Sequence, residues 1–137
     1  MFTMHTMPNV SENVSSRGAV SLPSALLRLE GLALFLSATA FYAYFGANGW
    51  LFVALLLVPD LSALGYAINP RVGSMTYNFA HTTSIPVILL VIAFISGTGE
   101  MVIPFILIWL AHIGMDRTVG YGLKYAAGFK QTHLGRV

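Results

Sequence analysis

His112 and Asp116 stand four residues apart in ILIWLAHIGMDRTVGYGLKY, Ile106 to Tyr125, a run that opens as an uninterrupted apolar stretch. On a helix that spacing puts an imidazole and a carboxylate on one face. Earlier apolar runs hold the same two residue types: Asp60 in VPDLSALGY and His81 in YNFAHT. Two imidazoles and two carboxylates are a reasonable ligand set for Zn²⁺, Mn²⁺ or Fe²⁺. A metal also offsets the cost of burying two negative charges. Water on such a metal has a lowered pKa and attacks an ester or phosphoester. Glu30 in LLRLEG is placed to serve as base or as a partner to a ligand. It could instead pair with Arg28 or Arg117 and only orient a helix. Arg117 and Lys124 are candidates to hold an anionic group of the substrate. Asn78, three residues before His81 and on the same helical face, is a further candidate substrate contact.

The elements that must carry these residues can be read from composition. The 137-residue chain is 56% hydrophobic and only 9% charged, with a mean hydropathy of +0.75. Soluble domains run at about 25% charged, so this chain has too little polar surface for a water-soluble globule. It has no cysteine, which excludes a disulfide framework, a thiolate metal site and a cysteine nucleophile. Four apolar segments, at about residues 25–45, 50–68, 74–95 and 101–123, each approach the ~20 residues that a bilayer core of ~30 Å requires. Short breaks with Gly, Asn, Pro and Ser separate them. The expected fold is all-α: a four-helix transmembrane bundle over residues 24–137 that ends in a short basic tail. Residues 1–23 are Ser- and Asn-rich, lack the apolar run of a signal peptide, and read as a disordered N-terminal tail that exposes His5 to solvent.

Charge gives the orientation. The seven Lys and Arg are Arg17, Arg28, Arg71, Arg117, Lys124, Lys130 and Arg136. They fall at the N-terminus, in the second loop and at the C-terminus, regions that share one side of a four-span protein. The first and third loops carry neither residue. The positive-inside rule then places both termini in the cytoplasm. Counted inward at ~1.5 Å per residue, Asp60 and His81 lie roughly 15 Å deep, His112 roughly 16 Å, Asp116 roughly 10 Å and Glu30 roughly 9 Å. Polar groups from four helices thus share the cytoplasmic half of the bundle. Pro59 and Pro86, close to Asp60 and His81, free backbone carbonyls and kink their helices, which is consistent with a cavity.

Ionisable groups within spans are costly and usually functional. Three functions remain open at this point. The first is a metal-dependent hydrolase of a membrane-associated ester or phosphoester. The second is a small transport or proton-relay subunit, in which case a homo-oligomer is expected, because four spans enclose little volume. The third is a structural membrane protein whose polar layer is interhelical hydrogen-bond glue. No cofactor other than the divalent metal is indicated: GYGLKYAAG starts like a dinucleotide fingerprint, but Tyr125 takes the last glycine position and no strand precedes it. The basic stretch GFKQTHLGR suits anionic lipid headgroups or a substrate phosphate, and nothing supports nucleic-acid binding.

LLRLEG, VPDLSALGY, PRVGSMTYNFAHT and WLAHIGMDRTVGYGLKY with GFKQTHLGR together resemble the small bacterial membrane family known as domain of unknown function 4260, from about Leu26 to the C-terminus. That resemblance implies four spans in the bacterial inner membrane and brings no activity. PD, AHT and HIGMD also resemble the signature of membrane-bound metal-dependent hydrolases. Carried across, this second resemblance implies Asp60, His81, His112 and Asp116 as ligands. Ser62 stands where a second acidic residue is common, and Thr76 where a further His is expected. What it implies is therefore a mononuclear site, or one that has lost its metal.

The orientation is testable directly. A fluorescent protein fused to the C-terminus should fold and fluoresce, whereas alkaline phosphatase at the same position should stay inactive. Phosphatase activity there would contradict the cytoplasmic assignment.

Overall fold

The computed structural model describes residues 20–46 and 48–135. Residues 1–19, with most of the expected tail, and Arg136 lie outside them. The described chain is helical throughout its apolar segments. Helix α1 runs Leu22–Tyr44, α2 Gly49–Leu56, α3 Pro70–His81, α4 Ser84–Ile95 and α5 Gly99–Val119. A 3-10 segment, Val58–Ala67, joins α2 to α3, and a short 3-10 turn, His133–Gly135, lies near the end. Three units are long and apolar enough to cross a membrane: α1, α2 with its 3-10 extension, and α5. The pair α3 and α4, bent by 42°, makes a fourth if it counts as one span. This is an all-α, multi-pass membrane protein.

The caps explain the starts. Ser21 accepts from the Ser24 amide at 3.2 Å ahead of α1, Asn48 from Trp50 at 2.8 Å ahead of α2, and Asn69 from Val72 at 2.9 Å ahead of α3. Each satisfies an amide with no partner inside its helix. The first helix begins at Leu22, three residues before the expected position, because Pro23 is tolerated in a first turn whose amides are unpaired anyway.

Prolines explain the breaks. A proline ring clashes with the carbonyl four residues earlier and cannot donate to it. For Pro86 that residue is Thr82, and Thr82 is where the third span breaks: it is extended, with φ −82° and ψ 132°. For Pro59 the residue is Leu55, and the α-helix ends at Leu56 before the chain tightens into the 3-10 segment. Both breaks therefore lie a few residues ahead of their prolines. They divide the bundle into an apolar half, built on α2 and α4, and a polar half, built on the 3-10 segment and α3.

Helix α5 is the hub. Ala38 of α1 and Ala93 of α4 pack on Ile106, Leu110 and Ala111. Tyr42 of α1, with Phe52, Leu55 and Leu56 of α2, packs on Leu107 and Ile108. The closest approach is between α1 and α5 at two glycines. A Cβ on Gly114 would sit 2.5 Å from the Phe35 nitrogen and 2.7 Å from the Gly31 carbonyl oxygen. Contact of this kind, with backbone against backbone through small residues, is how helices associate where lipid supplies no hydrophobic drive between them. The 3-10 segment and α3 are held the same way: a Cβ on Gly73 would enter the Tyr66 ring, and the Thr76 hydroxyl reaches the Ser62 carbonyl at 2.8 Å.

The last span is shorter than expected. It ends at Val119, not near Leu123, because Gly120 adopts φ 95° and turns the chain through a left-handed cap. Tyr121 then donates to the Asp116 carbonyl at 2.7 Å. Beyond this cap the short basic tail forms a folded hairpin. Lys124 and Thr132 form an isolated antiparallel bridge, and the Tyr125 amide donates to the Gln131 carbonyl at 2.8 Å.

Gly114→Ala should destabilise the protein by about 1–3 kcal/mol, as an added methyl with no room does, and lower its thermal midpoint in detergent. Gly49→Ala, where a Cβ meets nothing within 4 Å, should leave the midpoint nearly unchanged. Equal midpoints for the two variants would contradict the α1–α5 contact.

Candidate metal centre

Four side chains from three elements meet where the second and third spans break. Asp60 comes from the first turn of the 3-10 segment. His81 is the last residue of α3. His112 and Asp116 lie one turn apart on α5. One ligand atom from each residue can be chosen so that all lie within 4.8 Å of one another. The His81 and His112 Nε2 atoms are 3.0 Å apart. His81 Nε2 lies 3.5 Å from Asp60 Oδ1 and 3.4 Å from Asp116 Oδ2. His112 Nε2 lies 3.6 Å from Asp60 Oδ1 and 3.8 Å from Asp116 Oδ2.

These lengths suit a ligand set, with the two imidazole nitrogens alone at hydrogen-bond distance. Imidazole–carboxylate hydrogen bonds fall at about 2.7–3.2 Å, and all four such contacts here are longer. Four donors about 2.1 Å from a common tetrahedral centre are about 3.4 Å from each other, and the contacts cluster around that value. The His81 nitrogens agree. His81 Nδ1 lies 2.8 Å from the Tyr77 carbonyl, so it is the protonated nitrogen, and Nε2 turns a lone pair toward the centre. Ligating histidines are usually oriented by such a bond at the other ring nitrogen. The Nε2 atom of fully buried His112 points at the same place, while its Nδ1 is buried without a hydrogen-bond partner. The donor set therefore fits a divalent cation.

Tyr77 ties the set together, and the sequence reading missed it. Its hydroxyl donates to Asp116 Oδ2 at 3.0 Å. Its ring stacks on His81, with centroids 3.7 Å apart and planes within 9°. Its carbonyl takes the His81 proton. One residue thus fixes a carboxylate of α5 and an imidazole of α3. The signal was present: Tyr77 and His81 are four apart, the interval that places two rings on one helical face.

The group is closed on three sides. His81, His112 and Asp116 are buried, while the Asp60 side chain is 47% exposed. Asp60 and Asp116 form part of the wall of a cavity of about 600 Å³, whose other lining includes Tyr77, Tyr121, Lys124, Phe129 and Lys130. The C-terminal hairpin supplies the last three. It is fastened to α3 through Asn78, whose amide donates to the Lys124 carbonyl at 2.8 Å and accepts from the Lys124 amide at 2.7 Å.

The structure places the other sequence candidates around this group. Asn78 spends both ends of its amide on the Lys124 backbone and so latches the hairpin. The Lys124 ammonium, 6% exposed, donates to the Phe129 carbonyl at 3.0 Å and stands 3.4 Å over the Phe129 ring. Burial lowers its pKa from the ordinary value, and the negative charges of Asp116 and Asp60 partly oppose that. Arg117 is absent from the cavity wall. It borders a separate void of about 10 Å³ beside His81 and Asp116, roughly the space of one water. Glu30, the candidate base, is exposed on α1 and outside the ligand group. Depth alone does not say which way a side chain faces. The cation of the cavity wall besides Lys124 is Lys130, which the sequence had suggested only for headgroup or phosphate contact.

Tyr77→Phe should weaken divalent-metal affinity by about 10- to 100-fold, as loss of a partner behind a ligand does, with the helical content unchanged. Titration calorimetry in detergent checks it. Wild-type affinity in the variant would mean that Asp116 is oriented without the hydroxyl.

No solved structure and no curated protein matches the chain. One family does, over residues 24–137, and that span is most of the sequence. The chain therefore belongs to the family described as Domain of unknown function (DUF4260).

Proposed function

We propose that the protein is a metal-dependent hydrolase of the bacterial inner membrane, acting on a membrane-associated ester or phosphoester from the cytoplasmic face. The observation that carries this reading is the convergence of two imidazole nitrogens and two carboxylate oxygens on one centre, with one side open to a substrate-sized cavity. Cavities of 300–1,000 Å³ are the range that small ligands occupy.

The roles follow from the geometry. Asp60, His81, His112 and Asp116 would hold the ion. With a further position open toward the cavity, a divalent ion held by these four would polarise a carbonyl or phosphoryl oxygen and acidify water. Tyr77 keeps Asp116 and His81 in place. In hydrolysis the hydroxyl of water joins the acyl or phosphoryl centre, and its proton ends on the leaving alcohol. The two carboxylates bordering the cavity are Asp60 and Asp116 themselves, so the passing proton would rest on a carboxylate oxygen not engaged by the ion. Half-exposed Asp60 is the better placed of the two. The apolar half of the bundle anchors this site in the bilayer, and the hairpin of residues 120–135 walls it from the aqueous side.

Protein purified in detergent without chelator should carry about one divalent ion per chain, as a pre-formed four-ligand site does. The His81→Ala/His112→Ala double variant should lose nearly all of it by elemental mass spectrometry. Lipid esters and phosphoesters should then be turned over by the wild type only, and chelation should stop it. Equal metal content in wild type and double variant would overturn the reading.

A further inference from the structure

The charges that line the cavity point to the chemical class of its ligand. This inference rests on the metal reading above and extends it. Asp60 and Asp116 contribute two negative charges to the wall, and Lys124 and Lys130 two positive ones. Without an ion the wall is balanced. A divalent ion between the carboxylates leaves two positive charges uncompensated in a space partly shielded from water. Charges in such a place seek partners, because desolvated charge is costly when unpaired.

We propose that the cavity takes a phosphoryl dianion, a phosphate monoester carried on an organic group. Its phosphate would face the open Asp60 side of the metal group, with Lys130 as the balancing cation. Three details favour this class over a neutral ester. The Lys124 ammonium is pinned by the Phe129 carbonyl and stands over the Phe129 and Tyr77 rings, so it adds a fixed positive field and little direct contact. Exposed Lys130, on the same hairpin, is positioned to meet a ligand entering past Asp60. The rings of Tyr121 and Phe129, with Ala63, supply an apolar wall that a bare phosphate would leave uncovered. Phosphate oxygens are also hard donors that suit Zn²⁺, Mn²⁺ and Fe²⁺ alike.

The test pairs metal content with anion affinity. Full-length protein in detergent is desalted, its metal is measured, and it is titrated with inorganic phosphate and with phenyl phosphate by calorimetry. The expected result is binding by the metal-loaded protein and none by the His81→Ala/His112→Ala variant. Phenyl phosphate should bind more tightly than phosphate. Lys130→Gln should weaken both by about threefold to fivefold, the scale of one partly exposed charge pair, and Lys130→Arg should restore them. The control Arg71→Gln, distant from the cavity wall, should bind as wild type. Bilayer discs separate the two sources of such a group. Phosphatidic acid in the disc should compete with phenyl phosphate if the monoester is a lipid headgroup. No competition relative to phosphatidylcholine discs assigns it to a soluble ester. Metal present with no phosphate binding, or with Lys130→Gln unaltered, overturns this proposal and leaves the metal reading standing. Absence of metal from the wild type overturns both.

Discussion

Two carboxylates and two imidazoles packed within 4.8 Å of each other inside a lipid-solvated bundle have to be reconciled with their surroundings. An unpaired charge there is expensive, and like charges at this spacing repel. The one contact among the four at hydrogen-bond length joins the two imidazoles at 3.0 Å and leaves both carboxylates without an imidazole partner at that length. A shared cation would resolve it. The rest of the architecture is arranged to bring four donors to one point. The second and third spans break at that depth, α3 ends at His81, and α5 runs unbroken through the middle to carry two ligands on one face.

The bundle divides its labour accordingly. Glycine contacts fix α1 against α5 and α3 against the 3-10 segment, which sets the ligand-bearing backbones without relying on apolar burial. The apolar half faces lipid with few fully buried residues, and α2 has none. Buried residues concentrate on α5, from Ile106 to Asp116. His112 and Asp116 lie within that buried stretch. The C-terminal hairpin completes the site from the other side. The two amide bonds of Asn78 and the wedge of Phe129 between Tyr66 and Tyr77 tie it to the elements that carry Asp60 and His81.

Much of this was legible in the sequence. Low charge and four apolar runs determine a membrane bundle, and the helical interval between His112 and Asp116 puts both on one face. Similar depths for Asp60 and His81 suffice to propose that they meet. Depth is one coordinate of three, however. Glu30 shares the depth and misses the site because it faces outward on α1. Asn78 shares the face of His81 but is consumed by the backbone of a hairpin 46 residues later, a pairing that no local pattern encodes. The hairpin itself was hidden, because Gly120 can continue a helix on paper and only its positive φ ends one. Pro86 accompanies the 42° bend between α3 and α4, and Pro59 the change from α to 3-10. The breaks fall near the carbonyls the prolines leave unpaired, a few residues earlier. Tyr77 was passed over since a tyrosine in a span usually packs or sits at an interface.

The central claim is that His81, His112, Asp60 and Asp116 hold one metal ion together. X-ray absorption at the edge of the bound metal tests it most directly, because the spectrum reports the ligand atoms themselves. The account predicts light-atom ligands at about 2.0–2.2 Å with the outer-shell scattering of two imidazoles and no sulfur, reduced to one imidazole in His112→Ala. A spectrum with no imidazole scattering, or one that His112→Ala leaves unchanged, would contradict it.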